Sequence, residues 1–342
     1  MTTITAPATP APEKTIDDLY PDLSGLVFGL AIQELDPSKV PAGLTSLMPA
    51  SARANVRAKV GTAIPKTKGN KVVNVEALEG AEKYARPNGQ DYYARMWGDH
   101  SDIEVLRKAR NAGQYVLLYG APGTGKTACV EGAFPDELYT VLGSGDTELS
   151  DFIGGYVQTP SGSFEWVDGA LVKSAEQGKV LLIDEIGLID PKVLSAVYGL
   201  MDGRKEITIT QNPERGTIKA KEGFFVIGAT NPNAPGVRLS EALLSRFSVQ
   251  VEMTTDWTLA KKLGVPATAV SASQNLAKKQ ANGETSWSPQ MRELLAFRDL
   301  SELFGSKWAV QNLLASAPEI DRAVVADVFT RVFGEAVLPA KI

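Results

Sequence analysis

Gly120-Ala121-Pro122-Gly123-Thr124-Gly125-Lys126-Thr127 puts three glycines, an amine and a hydroxyl where one short loop can grip phosphate groups. Glycines let the backbone turn tightly, so that successive N–H groups point inward at phosphate oxygens. A helix starting at the end of the loop adds the positive end of its dipole. Lys126 can then reach the β- and γ-phosphates of a nucleoside triphosphate, and the Thr127 hydroxyl can ligate Mg²⁺. The expected nucleotide-contacting set is Gly120, Ala121, Pro122, Gly123, Thr124, Gly125, Lys126, Thr127 and Ala128. A glycine-rich turn without a ligand is the plain alternative, but every fixed position of the pattern is filled and the apolar run Tyr115–Tyr119 precedes it.

Four further groups could complete a hydrolytic site. Val180-Leu181-Leu182-Ile183 ends in the adjacent carboxylates Asp184 and Glu185. Continuous apolarity marks a strand buried on both faces. Asp184 at its end would sit beside Mg²⁺, and Glu185 would face the γ-phosphate, where a carboxylate can polarise an attacking water. Simple kinases of this loop class need no second acid there, which favours ATP hydrolysis over transfer to a metabolite. Phe225-Val226-Ile227-Gly228-Ala229-Thr230 is a second buried run, and Asn231 at its tip could hold that water from the other side; an ordinary Asn-Pro turn is the alternative. Leu239 to Phe247 reads as a helix with Arg246 at its end. From there a cation cannot easily reach its own nucleotide, but it could reach one held by a neighbouring subunit. Arg238 is a weaker choice for that task, and a surface arginine is the alternative for both. Ser288 is expected to cap a helix with Pro289 in its first turn, placing Arg292 to fold over the γ-phosphate; an ordinary helix-face arginine is the alternative.

These residues need elements to hold them. β-branched, apolar runs recur at Tyr115–Tyr119, Leu138–Leu142, Val180–Ile183, Phe224–Ile227 and Val249–Met253. Helix-length segments such as Pro191–Met201 separate them, which predicts a parallel α/β sheet covered on both faces. Ligands in such sheets lie at the carboxyl ends of strands, where the phosphate loop falls. Beyond Thr255 only helical patterns remain, over Leu294–Phe304 and Ile320–Phe333, predicting a small all-helical lid. The expected organisation is a disordered tail over 1–14, an N-terminal extension over 15–80, an α/β domain over 81–255 and the lid over 256–342.

Composition bounds the setting. The chain has 342 residues, 44% hydrophobic and 22% charged, with a net charge of −5, so it is no general polyanion binder. No apolar run reaches the roughly 18 residues of a membrane span, and the start lacks the features of a secretory signal. Cys129, the single cysteine, fits a reducing cytosol, and its expected role is packing. His100 is the only histidine, leaving little for a zinc site or a Ser-His-Asp triad. Short helical patches such as Gly25–Leu35 occur in the extension. Between Asp36 and Glu76 there is no acid, while Lys39, Arg53, Arg57, Lys59, Lys66, Lys68 and Lys71 form a basic arm. A solvated linker and a contact with nucleic acid or an acidic partner through 39–71 both remain open for it.

Taken together, the motifs resemble the AAA+ ATPases. The resemblance makes Gly120–Thr127 the Walker A loop, Val180–Glu185 Walker B, Asn231 sensor 1, Arg246 the arginine finger and Arg292 sensor 2. Phe152–Tyr156, Phe164–Leu171 and Ala175–Gly178 are similar to the helix-2 insert (about 150–172) of the MoxR and dynein-related branch, which includes the CbbQ and NorQ activases and the gas-vesicle ATPase. Ile207–Ile218 resembles that branch's second hairpin. The likeness implies ATP and Mg²⁺ as ligands, Glu185, Asn231, Arg246 and Arg292 as catalytic residues, and Thr127 and Asp184 as metal ligands. It also implies a homo-oligomer, usually a hexameric ring, with ATP bound between subunits. The expected activity is remodelling, activation or assembly of a protein client in the cytoplasm, in some members with a partner carrying a von Willebrand factor A domain. For a bacteriophage-encoded member the compartment would be the host cytoplasm. A nucleic-acid motor is the alternative, and a non-hydrolysing nucleotide switch is disfavoured by the Asp184-Glu185 pair. Phe164 and Trp166 are candidates for gripping a partner, with packing inside a β-hairpin as the equal alternative.

Overall fold

The computed structural model describes residues 82–334, 336, 338 and 339. The tail, the patches around Gly25–Leu35 and the basic arm lie outside the described residues. Those described belong to one compact unit, Val75–Ile342. They begin with two short antiparallel pairs, β1 (Lys83–Ala85) with β2 (Asp91–Tyr93) and β3 (Met96–Trp97) with β4 (His100–Ser101). Helix α1 (Asp102–Asn111) follows, its Ser101 hydroxyl accepting from the Glu104 amide as an N-cap.

The α/β part then runs β5 (Val116–Tyr119), α2 (Lys126–Ala133), β6 (Leu138–Leu142) and α3 (Leu149–Ile153). After the hairpin β7 (Gly154–Gln158) and β8 (Phe164–Asp168) come α4 (Ala170–Gln177), β9 (Val180–Asp184) and α5 (Pro191–Met201). A second hairpin, β10 (Glu206–Thr208) and β11 (Thr217–Lys219), precedes β12 (Phe225–Thr230), α6 (Glu241–Leu244) and β13 (Val249–Glu252). Five strands form one sheet in the order β13-β5-β12-β9-β6, every pair parallel. Parallel neighbours require long crossovers, and the helices that supply them bury both faces of the sheet. Val180–Ile183 and all of β12 are buried accordingly. In register, Tyr119 stands opposite Thr230 and Glu252, and Asp184 opposite Leu142, so the strands deliver their carboxyl ends to one edge.

The lid comprises α7 (Trp257–Lys262), α8 (Ala267–Ala281), α9 (Met291–Phe304), α10 (Ser306–Ser316) and α11 (Arg322–Phe333). It has its own apolar cluster, including Leu276, Leu294, Phe297, Leu314 and Phe329, separate from the cluster around the sheet. No helix among the described residues is long and apolar enough to cross a membrane.

Two expectations need correction. Helix α9 starts at Met291, not at Pro289, and Ser288 does not cap it. The Ser288 hydroxyl instead donates to Gln280 Oε1 at 2.7 Å. Gln290 is the cap, in a reciprocal box in which its own amide donates to Glu293 Oε2 at 2.9 Å. Helix α6 is also shorter than the expected Leu239–Phe247: Ser240 caps it, and Arg246 lies in the turn after its end.

The candidate nucleotide site

Where β5 ends, the chain turns through the glycine-rich loop into α2. Gly120 and Gly125 have positive φ, and a Cβ on Gly120 would lie 2.3 Å from the Met253 carbonyl oxygen. Only glycine fits there, because Met253, just past the end of β13, packs against the start of the loop. Lys126 opens α2 and is buried, its Nζ donating to the Gly120 and Ala121 carbonyls at 2.9 and 3.0 Å. Burial lowers its pKa from the ordinary lysine value, opposed by the nearby Glu185 and Asp184 carboxylates.

One residue further, Thr127 Oγ1 donates to Asp184 Oδ2 at 2.7 Å, tying the start of α2 to the end of β9. Glu185, next in the chain, has a φ of 49°, one of only two non-glycine residues in the left-handed region among those described. Such a conformation is held by its surroundings. The Glu185 amide donates to Asp184 Oδ1 at 3.0 Å, and a short 3₁₀ turn, Ile186–Leu188, follows at once. Gly143 abuts the same bend: its amide donates to the Asp184 carbonyl at 2.7 Å, and a Cβ on it would lie 2.5 Å from the Glu185 carbonyl.

A cavity of about 690 Å³ joins these groups, bordered by Gly123, Lys126, Thr127, Asp184, Glu185 and Arg292. That is a suitable size for a nucleotide. Helix α9 closes its roof directly on the phosphate loop, with the Arg292 amide donating to the Gly123 carbonyl at 3.1 Å. Beyond the loop the walls become apolar, with Tyr93, Leu259, Leu263, Met291 and Leu295. The wall carrying Tyr93 comes from the β1–β2 hairpin, which sequence reasoning missed. Arg95, just after that hairpin, also borders the cavity and was missed; its strands are too short to show periodicity.

Asn231 and Arg246 are not among the residues bordering this cavity. Asn231 follows β12, one residue beyond the Thr230 carbonyl that accepts from the Gly120 amide at 3.2 Å. Its own Oδ1 accepts from the Asn233 amide at 3.2 Å, an Asx turn. Arg246 stacks over the Tyr198 ring, 4.2 Å from its centroid, and Nη1 donates to the Ala242 carbonyl. Its Nε is buried without a hydrogen-bond partner. Arg238 is exposed, its amide donating to the Gly187 carbonyl at 2.7 Å. Within one subunit, the structure therefore unites the loop, both acids and Arg292, while Arg246 stands apart.

The β7–β8 and β10–β11 hairpins lie outside the cavity lining. Tyr156, Val157, Phe164 and Val167 of the β7–β8 pair are exposed. Trp166 is half-buried, with Tyr156 edge-on at 5.3 Å and its Nε1 donating to Asp168 Oδ1 at 2.8 Å. Arg215, in the turn of the second hairpin, makes a bidentate pair with Asp168 at 3.0 and 2.9 Å and reaches Glu176 at 2.8 Å.

Residues 115–247 match the AAA domain of the dynein-related subfamily. The uncharacterized protein YojN of Bacillus subtilis is 30% identical over 63% of this chain and 76% of its own length. An uncharacterized protein of Staphylococcus haemolyticus is 34% identical over 44% of this chain and 60% of its own. Midasin of Giardia intestinalis is 31% identical over 45% of this chain, and the chain spans 3% of that much longer protein.

Proposed function

This chain belongs to the AAA-domain family, dynein-related subfamily, and on that premise we propose that it hydrolyses ATP and couples the reaction to work on a protein client. The single observation that carries the reading is the meeting of Thr127 with Asp184 at 2.7 Å, beside Glu185 and Lys126 on one cavity. Mg²⁺ suits this oxygen pair, and when bound it would neutralise charge on the phosphates. Loop amides and Lys126 bind the triphosphate. Glu185 orients a water for attack on the γ-phosphorus and takes its proton; Asn231, outside the cavity lining but at the end of the strand paired with β9, would assist only by turning its side chain toward that water. Arg292 on the lid faces the same phosphates, so lid pose and nucleotide state move together.

Arg246 acts on the ATP of a neighbouring subunit. Its separation from its own cavity supports this reading, and a homo-oligomeric ring, hexameric by the family resemblance, follows from it. The exposed aromatic face of the β7–β8 hairpin is the surface that grips the client, with a von Willebrand factor A domain protein as a candidate partner. A reducing cytoplasm suits a chain whose one cysteine is buried and free.

Phosphate release by the purified protein tests the activity. Glu185→Gln is expected to bind ATP with near-parental affinity while turnover drops about 100-fold or more, the usual weight of a general base. Undiminished turnover in that variant removes Glu185 from the role.

A further inference from the structure

Arg95 is largely covered, and most of its donors go to groups other than a carboxylate. Its side chain is 11% exposed. Nη1 donates to the carbonyl oxygens of Thr124 at 2.9 Å and Thr254 at 3.0 Å. Thr124 belongs to the phosphate loop, and Thr254 lies in the link between β13 and the lid. Nε and Nη2 both donate to the Tyr92 hydroxyl, at 3.1 and 3.0 Å. That hydroxyl donates in turn to Asp102 Oδ2, which lies 3.5 Å from Arg95 Nε, while the Arg95 amide donates to Asp102 Oδ1 at 3.1 Å. The Tyr92–Asp102 pair thus aims the guanidinium, and its Nη1, which carries two N–H groups, bridges two backbone carbonyls from separate parts of the chain.

The contacts close a circuit. From Thr254 the chain passes to Thr255, whose hydroxyl donates to Gln290 Oε1 at 2.7 Å. Gln290 caps α9, and the Arg292 amide returns to the Gly123 carbonyl at 3.1 Å, next to Thr124 where Arg95 began. We infer that Arg95 is a positioning residue that bolts the phosphate loop to the lid hinge, so that the loop's conformation sets where Arg292 stands over the phosphates. This inference deepens the nucleotide-site reading and rests on it for its effect on ATP, though the bolt itself can be measured without ligand.

The test uses the full-length chain with Arg95→Gln and Arg95→Lys. Without nucleotide, Arg95→Gln should speed hydrogen exchange of the Arg292 amide about tenfold, while amides of the sheet strands stay protected as in the parent. Its ATP dissociation constant, read with a fluorescent ATP analogue, should rise about tenfold, the loss of one charge-assisted hydrogen bond. Arg95→Lys should recover part of both effects, because an ammonium can serve the carbonyls that Nη1 holds but cannot reproduce the Nε and Nη2 bonds to the Tyr92 hydroxyl that aim it. A folded Arg95→Gln protein with unchanged Arg292 exchange and unchanged ATP affinity overturns the inference, as does faster exchange spread evenly over the whole sheet. Should Arg95→Gln not fold, Tyr92→Phe keeps the arginine but removes the hydroxyl that aims it. That variant is expected to shift both readings about threefold in the same direction, and parental values in it overturn the inference. If the parent binds no ATP, the nucleotide-site reading fails while the exchange experiment still decides the fate of the bolt.

Discussion

Lys126 is a buried cation that has to stay charged to do its work. Burial disfavours the ammonium and lowers its pKa below the ordinary 10.5, with Glu185 and Asp184 resisting the shift. The sign of the consequence follows. As pH rises, the folded protein sheds this proton earlier than the unfolded chain, so ATP affinity begins to fall below pH 10.5. In the same window Lys126 adds stability as pH rises, because the unfolded chain holds the extra proton. The guanidinium of a Lys126→Arg variant keeps its charge throughout. A titration of ATP affinity against pH should therefore show the alkaline loss in the parent and a flat profile in the variant. Equal losses in both would remove Lys126 as their source. The residue scale was the most legible in the sequence, because phosphate and metal chemistry dictates residue types at fixed spacing. Arg95 escaped notice for the opposite reason: its partners Thr124 and Thr254 are distant in the chain, and nothing in its neighbours' pattern announces them.

At the scale of elements, legibility followed burial. β9 could be read because both faces are covered, which leaves Val180–Ile183 continuously apolar. Strands β1 to β4 are too short to carry a period, so the wall beside Tyr93 was invisible. The lid helix start was misread because Ser288 and Gln290 are both able to cap, and a tertiary partner, Gln280, claims the serine. Asn231 stood where expected, but its side-chain oxygen is engaged by the amide of Asn233, a contact that only the folded turn reveals. The junction of β5 and β13 gives a direct test of packing around the loop. Gly120→Ala would push a methyl group into the Met253 carbonyl at 2.3 Å, and that carbonyl belongs to a residue whose amide is fixed to Tyr119 at 2.7 Å. Urea denaturation should show a loss of about 1–3 kcal/mol. A variant as stable as the parent would mean that the strand ends are free to separate. Deeper in the sheet, Leu182→Ala should cost about 2–5 kcal/mol by the same measurement, since Leu182 is fully buried; a loss under about 1 kcal/mol would place it outside the core.

For the whole molecule, the proposed catalytic set does not come together in one subunit. The loop, Asp184, Glu185 and Arg292 converge on a single cavity, whereas Arg246 is held over Tyr198 and does not border it. On the proposed reading a neighbour in a ring supplies the missing cation, hydrolysis is a property of the interface, and the hairpins transmit the work. The proposed client and partner rest on family resemblance alone, because nothing in the spacing of residues encodes what a surface hairpin holds. The direct measurement is ATP turnover in a mixture of Lys126→Ala and Arg246→Ala proteins, each inactive by itself. Lys126→Ala subunits would lend their intact Arg246 to ATP-loaded Arg246→Ala neighbours, so the mixture should recover activity that peaks near equal proportions. A mixture that stays inactive at every ratio, while both proteins still assemble, would contradict the account.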